Sequence, residues 1–171
     1  MEIDQKYRSK IPLINVDLII VKHFDTLLED SSKFCFWCYF LVIPLVTAIV
    51  LLALQKPMTY ESSNTLITAF SIFTGLLLNV ILIIFAIVDR RQEKNNSDKW
   101  VVFEHLYANT IFALLLSTFL LLFLILLVIL NDWKNSFLIF FFSFIIYFGV
   151  THFVMTLLMI FKRLFVLLFA E

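Results

Sequence analysis

Glycine and proline, which most often interrupt regular structure, are scarce in this sequence. Two glycines and three prolines occur among its 171 residues. Because proline removes a helical hydrogen bond and glycine weakens a helix, their scarcity predicts few turns and long, uninterrupted helices. Such helices satisfy their own backbone hydrogen bonds, as the backbone must inside a bilayer.

Cysteine is also scarce. Cys35 and Cys38, in the segment FCFWCYF, are the only two, which excludes a disulfide framework and a two-pair zinc site. The pair matches CxxC, but no thioredoxin-like βαβ pattern surrounds it. We interpret both as buried apolar cysteines, with palmitoylation near the membrane boundary as an alternative and metal or redox chemistry as a third.

Net charge is absent, and charge is missing from long parts of the chain. Thirteen Lys and Arg balance 13 Asp and Glu, so no overall basic field suggests direct binding of nucleic acid. Apart from His152, the apolar segments contain no acid or base. They therefore lack the rows of carboxylates or arginines that proton relays, ion-coupled transporters and voltage sensors use.

Apolar residues dominate what remains. The chain is 62% hydrophobic, has a mean hydropathy of +0.99 and contains 21 phenylalanines, whereas soluble domains are about 45–50% apolar. About 20 helical residues cross the hydrocarbon core, and four uncharged segments are long enough: residues 34–54, 65–88, 109–130 and 137–161. The sequence predicts an all-α, polytopic membrane protein built as a four-transmembrane-helix bundle.

The basic residues indicate the orientation of this bundle. Eleven Lys and Arg flank one side, in residues 1–33, 89–108 and 162–171, and only Lys56 and Lys134 flank the other. The positive-inside rule places the eleven in the cytoplasm. We therefore predict a multi-pass membrane protein with both termini cytoplasmic. A cytoplasmic amphipathic segment, 1–33, precedes a membrane domain, 34–171, which has a cytoplasmic loop at 89–108 and a short interfacial tail.

The amino-terminal segment contains no secretory signal peptide, but residues 15–30 follow a helical pattern. One stripe comprises Val16, Ile19, Ile20, His23 and Leu27, and charges lie elsewhere, at Lys22, Asp25 and Glu29. This pattern predicts an amphipathic helix on the inner membrane surface, or a helix that docks a cytoplasmic partner.

Small and polar residues form stripes inside the predicted spans. The three stripes are Thr68, Ser71, Gly75 and Asn79, then Asn109, Ala113 and Ser117, then Gly149, His152 and Thr156. Small residues allow helices to approach closely, and polar side chains can hydrogen-bond across the contact. We predict helix packing at Ser71, Gly75, Asn79, Ser117, Gly149 and His152. Asn79, Ser117 and His152 would form one polar layer, within a bundle or across subunits. Structural packing is the simplest role for this layer, and pH sensing by His152 is an alternative.

Signatures of catalysis are missing. The chain has no phosphate-binding glycine loop, no HExxH and no nucleophile elbow. Glu104 and His105 are adjacent, but a pair without a third orienting group is weak evidence for acid–base chemistry. The sequence predicts no enzyme, no cofactor and no metal site.

Three segments resemble a known family. They are TLITAFSIFTGLLLNVILIIFAIVDRRQEK, FEHLYANTIFALLLS and FVMTLLMIFKRLFVLLF, within residues 65–169. Together they are similar to the KwaA family, the membrane component of the Kiwa antiviral defence system, and more distantly to RexB-like phage-exclusion proteins. The resemblance implies a homo-oligomeric sensor of the bacterial inner membrane that responds to phage infection and works with a cytoplasmic DNA-binding partner, KwaB. It transfers no catalytic residue.

We therefore expect a sensor or regulatory subunit that signals through its cytoplasmic face. The residues expected to bind a cytoplasmic partner are Lys22, Asp25, Glu29, Arg90, Arg91, Lys162 and Arg163. The alternative is a pore-forming or membrane-depolarising effector of an abortive-infection system, and an assembly scaffold is a third possibility. A homo-oligomer is expected because four apolar helices with small-residue faces offer more packing surface than one bundle uses.

Overall fold

The computed structural model describes residues 16–30, 38–54, 57–91, 97–131 and 136–169. All elements in this part of the chain are helical, without a strand, so the predicted all-α class is confirmed. The helices are α1 (Val16–Asp30), a π-helical segment (Cys38–Val42) that continues into α2 (Ile43–Ala53), α3 (Tyr60–Arg91), α4 (Ser97–Asn131) and α5 (Ser136–Phe169).

Three helices are long and apolar enough to cross a membrane. The qualifying segments of α3, α4 and α5 are Tyr60–Ala86, Val101–Ile129 and Phe137–Phe165, with 27, 29 and 29 residues. At 1.5 Å per residue each exceeds the roughly 30 Å of hydrocarbon. The apolar helix Cys38–Ala53 is shorter. Its five π-helical and eleven α-helical residues span about 24 Å, so the fourth crossing stays a prediction.

The long helices extend beyond the uncharged segments. Helix α3 continues to Arg91, α4 begins at Ser97, and α5 continues to Phe169. Of the residues 89–108 predicted as a cytoplasmic loop, 89–91 and 97–108 are helical. A search for uncharged residues finds the part of a helix that suits hydrocarbon, whereas the helix itself continues where charged side chains can be solvated.

Helix α4 lies between its neighbours. It packs against α3 on one side and α5 on the other, α2 packs against α5, and α1 packs against α4. The buried side of α4 repeats at helical spacing, with Leu106, Ala113, Leu120, Leu124 and Leu127 all at most 2% exposed. This repeat buries one face of α4 along most of the membrane-spanning length.

The outer surface is as apolar as the interior. Leu82, Phe85 and Phe137 are each more than 60% exposed, and large aliphatic and aromatic side chains cover α2 to α5 in the same way. Water would penalise so extensive an apolar surface, and lipid does not. The fold is therefore that of a multi-pass membrane protein whose outer side chains contact lipid.

A proline shapes the start of α2. Pro44 lies in the first turn, directly after the π-helical segment. Proline has no backbone N–H, and its ring crowds the carbonyl four residues earlier, here that of Phe40. The wider π turn accommodates this crowding, and the Phe40 carbonyl instead accepts a hydrogen bond from His152 Nδ1 at 3.0 Å.

Candidate functional site

A buried polar cluster joins α1 to α4. His23 and Thr26 lie one turn apart on the inner face of α1, and Asn109 faces them from α4. His23 Nδ1 lies 2.6 Å from Asn109 Oδ1, and the Thr26 hydroxyl donates to the same oxygen at 3.1 Å. His23 and Asn109 are fully buried, so these hydrogen bonds replace those with water.

The amide nitrogen of Asn109 fixes the orientation of this side chain. Its Nδ2 donates to the backbone carbonyl of His105 at 2.7 Å, which points Oδ1 at α1. Because Oδ1 can only accept, His23 Nδ1 carries the proton in this bond. The other ring nitrogen, Nε2, is buried and has no hydrogen-bond partner among the described residues.

Aromatic rings enclose the imidazole. The His23 ring stacks on Phe112 of α4 with centroids 3.7 Å apart and planes at 7°. Phe112 also contacts the His152 ring edge-on at 5.9 Å, so it lies between the two histidines. This apolar enclosure removes His23 from water, and Asn109 is the hydrogen-bond partner of its ring.

Helix α5 reaches the same cluster through Arg163. Its Nη2 donates to the backbone carbonyl of Thr26 at 2.9 Å, and the Arg163 side chain is 4% exposed. Arg163 had been predicted to bind a cytoplasmic partner, and its burial contradicts an exposed role. Its long side chain can reach back from the end of α5 to α1, which sequence spacing does not show. One cluster therefore connects α1, α4 and α5.

The environment of His23 favours its neutral form. Burial lowers the pKa of His23 from 6.5 to about 3, the hydrogen bond with Asn109 opposes this shift, and the nearby His152 and Arg163 lower the pKa further. At the exposed edge of the contact between α1 and α4, Lys22 forms an ion pair with Glu104. About half of each side chain is exposed.

His152, predicted as part of an intramembrane polar layer, is buried in α5. It donates to the Phe40 carbonyl and stacks on Phe148 at 6.1 Å. Ser117 is buried too, and its hydroxyl lies 3.0 Å from that of Thr74. Asn79 is exposed on α3. Within one chain these three residues do not join into a layer, so that form of the hypothesis was wrong. The form across subunits stays a prediction.

The two glycines predicted at helix contacts differ. A Cβ at Gly149 would lie 2.5 Å from Leu120 Cδ2 of α4, so this glycine permits the close approach of α4 and α5. A Cβ at Gly75 would meet nothing within 4 Å. Ser71, also exposed, donates to the Ile67 carbonyl of its own helix at 2.8 Å. The α3 stripe thus faces away from the other described helices.

The other predicted partner-binding residues lie outside the cluster. Asp25, Lys162 and Lys22 are exposed. Glu29, Arg90 and Arg91 occupy helical positions, but their side chains lie outside the described residues. Cys35 also lies outside the described residues, and Cys38 is a free thiol.

Sequence reasoning placed His23 on the inner stripe of its helix without identifying its partner. Asn109 was treated as a small packing residue, and Thr26 was missed. The available signal was a histidine and a threonine at i and i+3 in an otherwise apolar face, which requires polar partners.

The cluster can hold α1, α4 and α5 together through hydrogen bonds between buried groups. In the part of the chain that the structure describes, no three His, Cys, Asp or Glu side chains converge to hold a metal ion. Comparisons of this chain with protein-family models, curated proteins and solved structures find no match.

Proposed function

We propose that this chain is the membrane sensor or regulatory subunit of a bacterial antiviral defence system, which detects phage infection at the inner membrane and signals to a cytoplasmic partner. One observation carries the proposal, namely that the buried cluster of His23, Thr26, Asn109 and Arg163 joins α1 to two membrane helices. A change in the packing of α4 against α5 would alter these bonds. The altered bonds would then move or release α1.

The placement of α1 on the cytoplasmic side is part of the proposal. The start of α4 and the end of α5 meet α1 through Glu104 and Arg163, and these regions belong to the basic side of the chain. In this topology Cys38–Ala53, together with residues before it, supplies the fourth crossing, and both termini face the cytoplasm. The stimulus would act through lipid or helix packing, because the external connections are short.

The defence context rests on the resemblance to the KwaA family, which also suggests a KwaB-like cytoplasmic partner. Asp25 and Lys162 are exposed charges near the cluster and would contribute to recognition of that partner. Lys22 is available only in part, because it pairs with Glu104. Deleting residues 1–30 should abolish binding of the partner while the chain still inserts into the membrane.

A homo-oligomer completes the proposal. The α3 stripe of Thr68, Ser71, Gly75 and Asn79 is exposed and lies opposite the side of α3 that contains buried Phe70, Leu77 and Ile84. Lipid cannot hydrogen-bond the amide of Asn79. A second copy inserted in the same orientation would present the same amide at the same depth, and Gly75 would let the helices approach.

A phage-plating assay tests the signalling role. Cells that express the chain with the protein encoded beside it should plate phage less efficiently than cells without it. Asn109→Leu should reduce this protection at least tenfold while membrane levels are unchanged, because it removes the shared acceptor of His23 and Thr26. Thr118→Val, an exposed position on the same helix, is the matched control. Equal protection by Asn109→Leu and the wild type would contradict the proposal.

A pore-forming or depolarising effector is the second candidate, and the exposed α3 stripe favours it. If several copies turned Thr68, Ser71 and Asn79 toward a common axis, these residues would line a narrow polar path. Purified protein in a planar bilayer should then conduct ions, and Asn79→Leu should reduce the conductance. A sensor without a pore would produce no current in the same assay.

A further inference from the structure

The cluster holds His23 in a form that cannot accept a proton without rearrangement. Nδ1 already donates to Asn109, so an added proton must go to Nε2. That nitrogen is buried without an acceptor among the described residues. A proton there would create a buried cation whose new donor has no bond, which is costly in an apolar environment.

The groups around His23 do not offset this cost. From α5 it is faced by His152 and Arg163, both of which disfavour a positive charge at His23. From α4 it is faced by the neutral Asn109 and by Phe112, while Glu104 binds Lys22 at the exposed edge. The π-helical segment contributes the ring of Phe40, at 6.3 Å. Along α1 itself, Lys22 and Asp25 point outward and are exposed.

We propose that the docking of α1 is proton-linked: protonation of His23 releases α1 from α4 and α5, so that acidification at the membrane surface undocks this helix. This inference rests on the proposed function only in taking α1 as the helix that passes the signal to a partner. The docking equilibrium can be measured without partner or phage, so it can fail while the signalling role stands, and the reverse also holds.

The direction follows from the two states of the imidazole. Docked His23 has a pKa of about 3, whereas a released, solvated histidine has a pKa of 6.5. Docking is therefore fully favoured above pH 6.5 and weakens as pH falls from 6.5 toward 3. The ratio of docked to released α1 should fall about tenfold per pH unit in that window. At pH 5 it should be roughly thirtyfold below its value at pH 8.

Distance measurements on the full chain in lipid nanodiscs test this inference. Spin labels would be placed at Leu18→Cys on α1 and Val101→Cys on α4, both exposed positions, in a chain carrying Cys35→Ser and Cys38→Ser. One distance at pH 8 should give way to a second, longer population as the pH is lowered to 5. An unchanged distance distribution over this range would overturn the proposal.

Variants identify the titrating group. His23→Gln should abolish the pH response. His105→Gln, which changes the one histidine of α4, should retain it. Asn109→Asp would place a carboxylate beside His23, stabilise the imidazolium and keep α1 docked at pH 5. This variant preserves the test if His23→Gln proves undocked at every pH. Loss of the response in His152→Gln but not in His23→Gln would assign the proton to His152 and refute the role of His23.

Discussion

At the scale of single residues, Pro44 and His152 form a linked pair although they lie on different helices. Pro44 cannot donate to the Phe40 carbonyl, and His152 donates to this carbonyl from α5. Within apolar surroundings a carbonyl without a partner is costly. The hydrogen bond from His152 therefore offsets the donor that Pro44 lacks.

This pairing predicts non-additive mutations. His152→Leu should lower the free energy of unfolding by about 1–2 kcal/mol, near the upper range for hydrogen bonds in membranes, because it removes the hydrogen bond from α5 to the Phe40 carbonyl. In a Pro44→Ala background, the introduced alanine has a backbone N–H that can donate to the Phe40 carbonyl, so the same change should cost less. A double-mutant cycle measured by unfolding in mixed micelles gives the coupling energy. Additive effects would contradict the linkage.

The individual residues were only partly predictable from the sequence. Helical spacing placed His23 on the inner side of α1, and the buried stripe of Asn109, Ala113 and Ser117 is as expected. The bond between His23 and Asn109 joins residues 86 positions apart, and no periodicity encodes which helix faces which. The burial of Arg163 was not expected, because a positive charge near a helix end normally lies in solvent.

At the scale of the helices, Gly149 sets the separation of α4 and α5. Its missing Cβ leaves space for Leu120, whose methyl group would otherwise be overlapped. Alanine there requires only a movement of that flexible side chain, whereas a larger residue must separate the helices.

The expected consequence is a strong dependence on side-chain size. Gly149→Leu should lower the free energy of unfolding by about 1–3 kcal/mol, the usual range for overpacking. Gly149→Ala should change it much less, since better helix propensity offsets the contact. Thermal unfolding of the monomer in detergent provides the measurement. The matched control is Gly75→Leu, because a Cβ at Gly75 meets nothing within 4 Å among the described residues. Equal destabilisation by both leucine variants would argue against the role of Gly149.

The ion pair between α1 and α4 should stabilise the docking of α1 less than the buried cluster does. Lys22 and Glu104 are each about half exposed, and exposed pairs contribute about 0.2–1 kcal/mol. Lys22→Ala should therefore weaken docking of α1 slightly, and less so in high salt. Thr26→Val should weaken it more, because it leaves a buried acceptor with one bond fewer. The spin-label distances would rank the two variants, and the opposite order would contradict this view of the contact.

At the scale of the whole molecule, helix α3 occupies an edge. Its backbone packs closely only against α4 among the described helices, with Phe70 and Phe73 reaching Phe153 of α5. Its opposite side presents the stripe that we propose as the contact between copies.

Substitutions on this edge should separate association from folding. Asn79→Leu and Gly75→Leu should weaken self-association at least tenfold while thermal stability of the monomer is retained. Leu76→Ala, at an exposed position beside the stripe, should have little effect. Cross-linking in native membranes and light scattering in detergent would measure assembly. Undiminished assembly of both stripe variants would exclude α3 as the contact.

The topology of the whole chain is testable with reporters. If Cys38–Ala53 forms part of a fourth crossing, fusions at both termini should report the cytoplasm, and a label at Thr59 should react from outside. Opposite locations of the two termini would show that the chain crosses the membrane three times.

The sequence predicted which segments form the long apolar helices, but it did not predict where those helices end. Uncharged length located α3, α4 and α5, because hydrocarbon excludes charge along any span. It did not locate the helix ends at Arg91 and Ser97, which depend on how far each helix continues outside lipid. The packing of α1 on α4 was also not predicted, since an amphipathic face fits a membrane, a partner or the chain itself equally well.

The docking of α1 also has a consequence for biogenesis. Thr26 leaves the ribosome early, but its last partner, Arg163, follows 137 residues later. At about 5–20 residues per second, synthesis of that interval takes roughly 7–30 s. During this time α4 can already cover the inner side of α1, but the Thr26 carbonyl lacks the hydrogen bond from Arg163. Nonsense truncations that remove the end of α5 would leave it in that immature condition permanently.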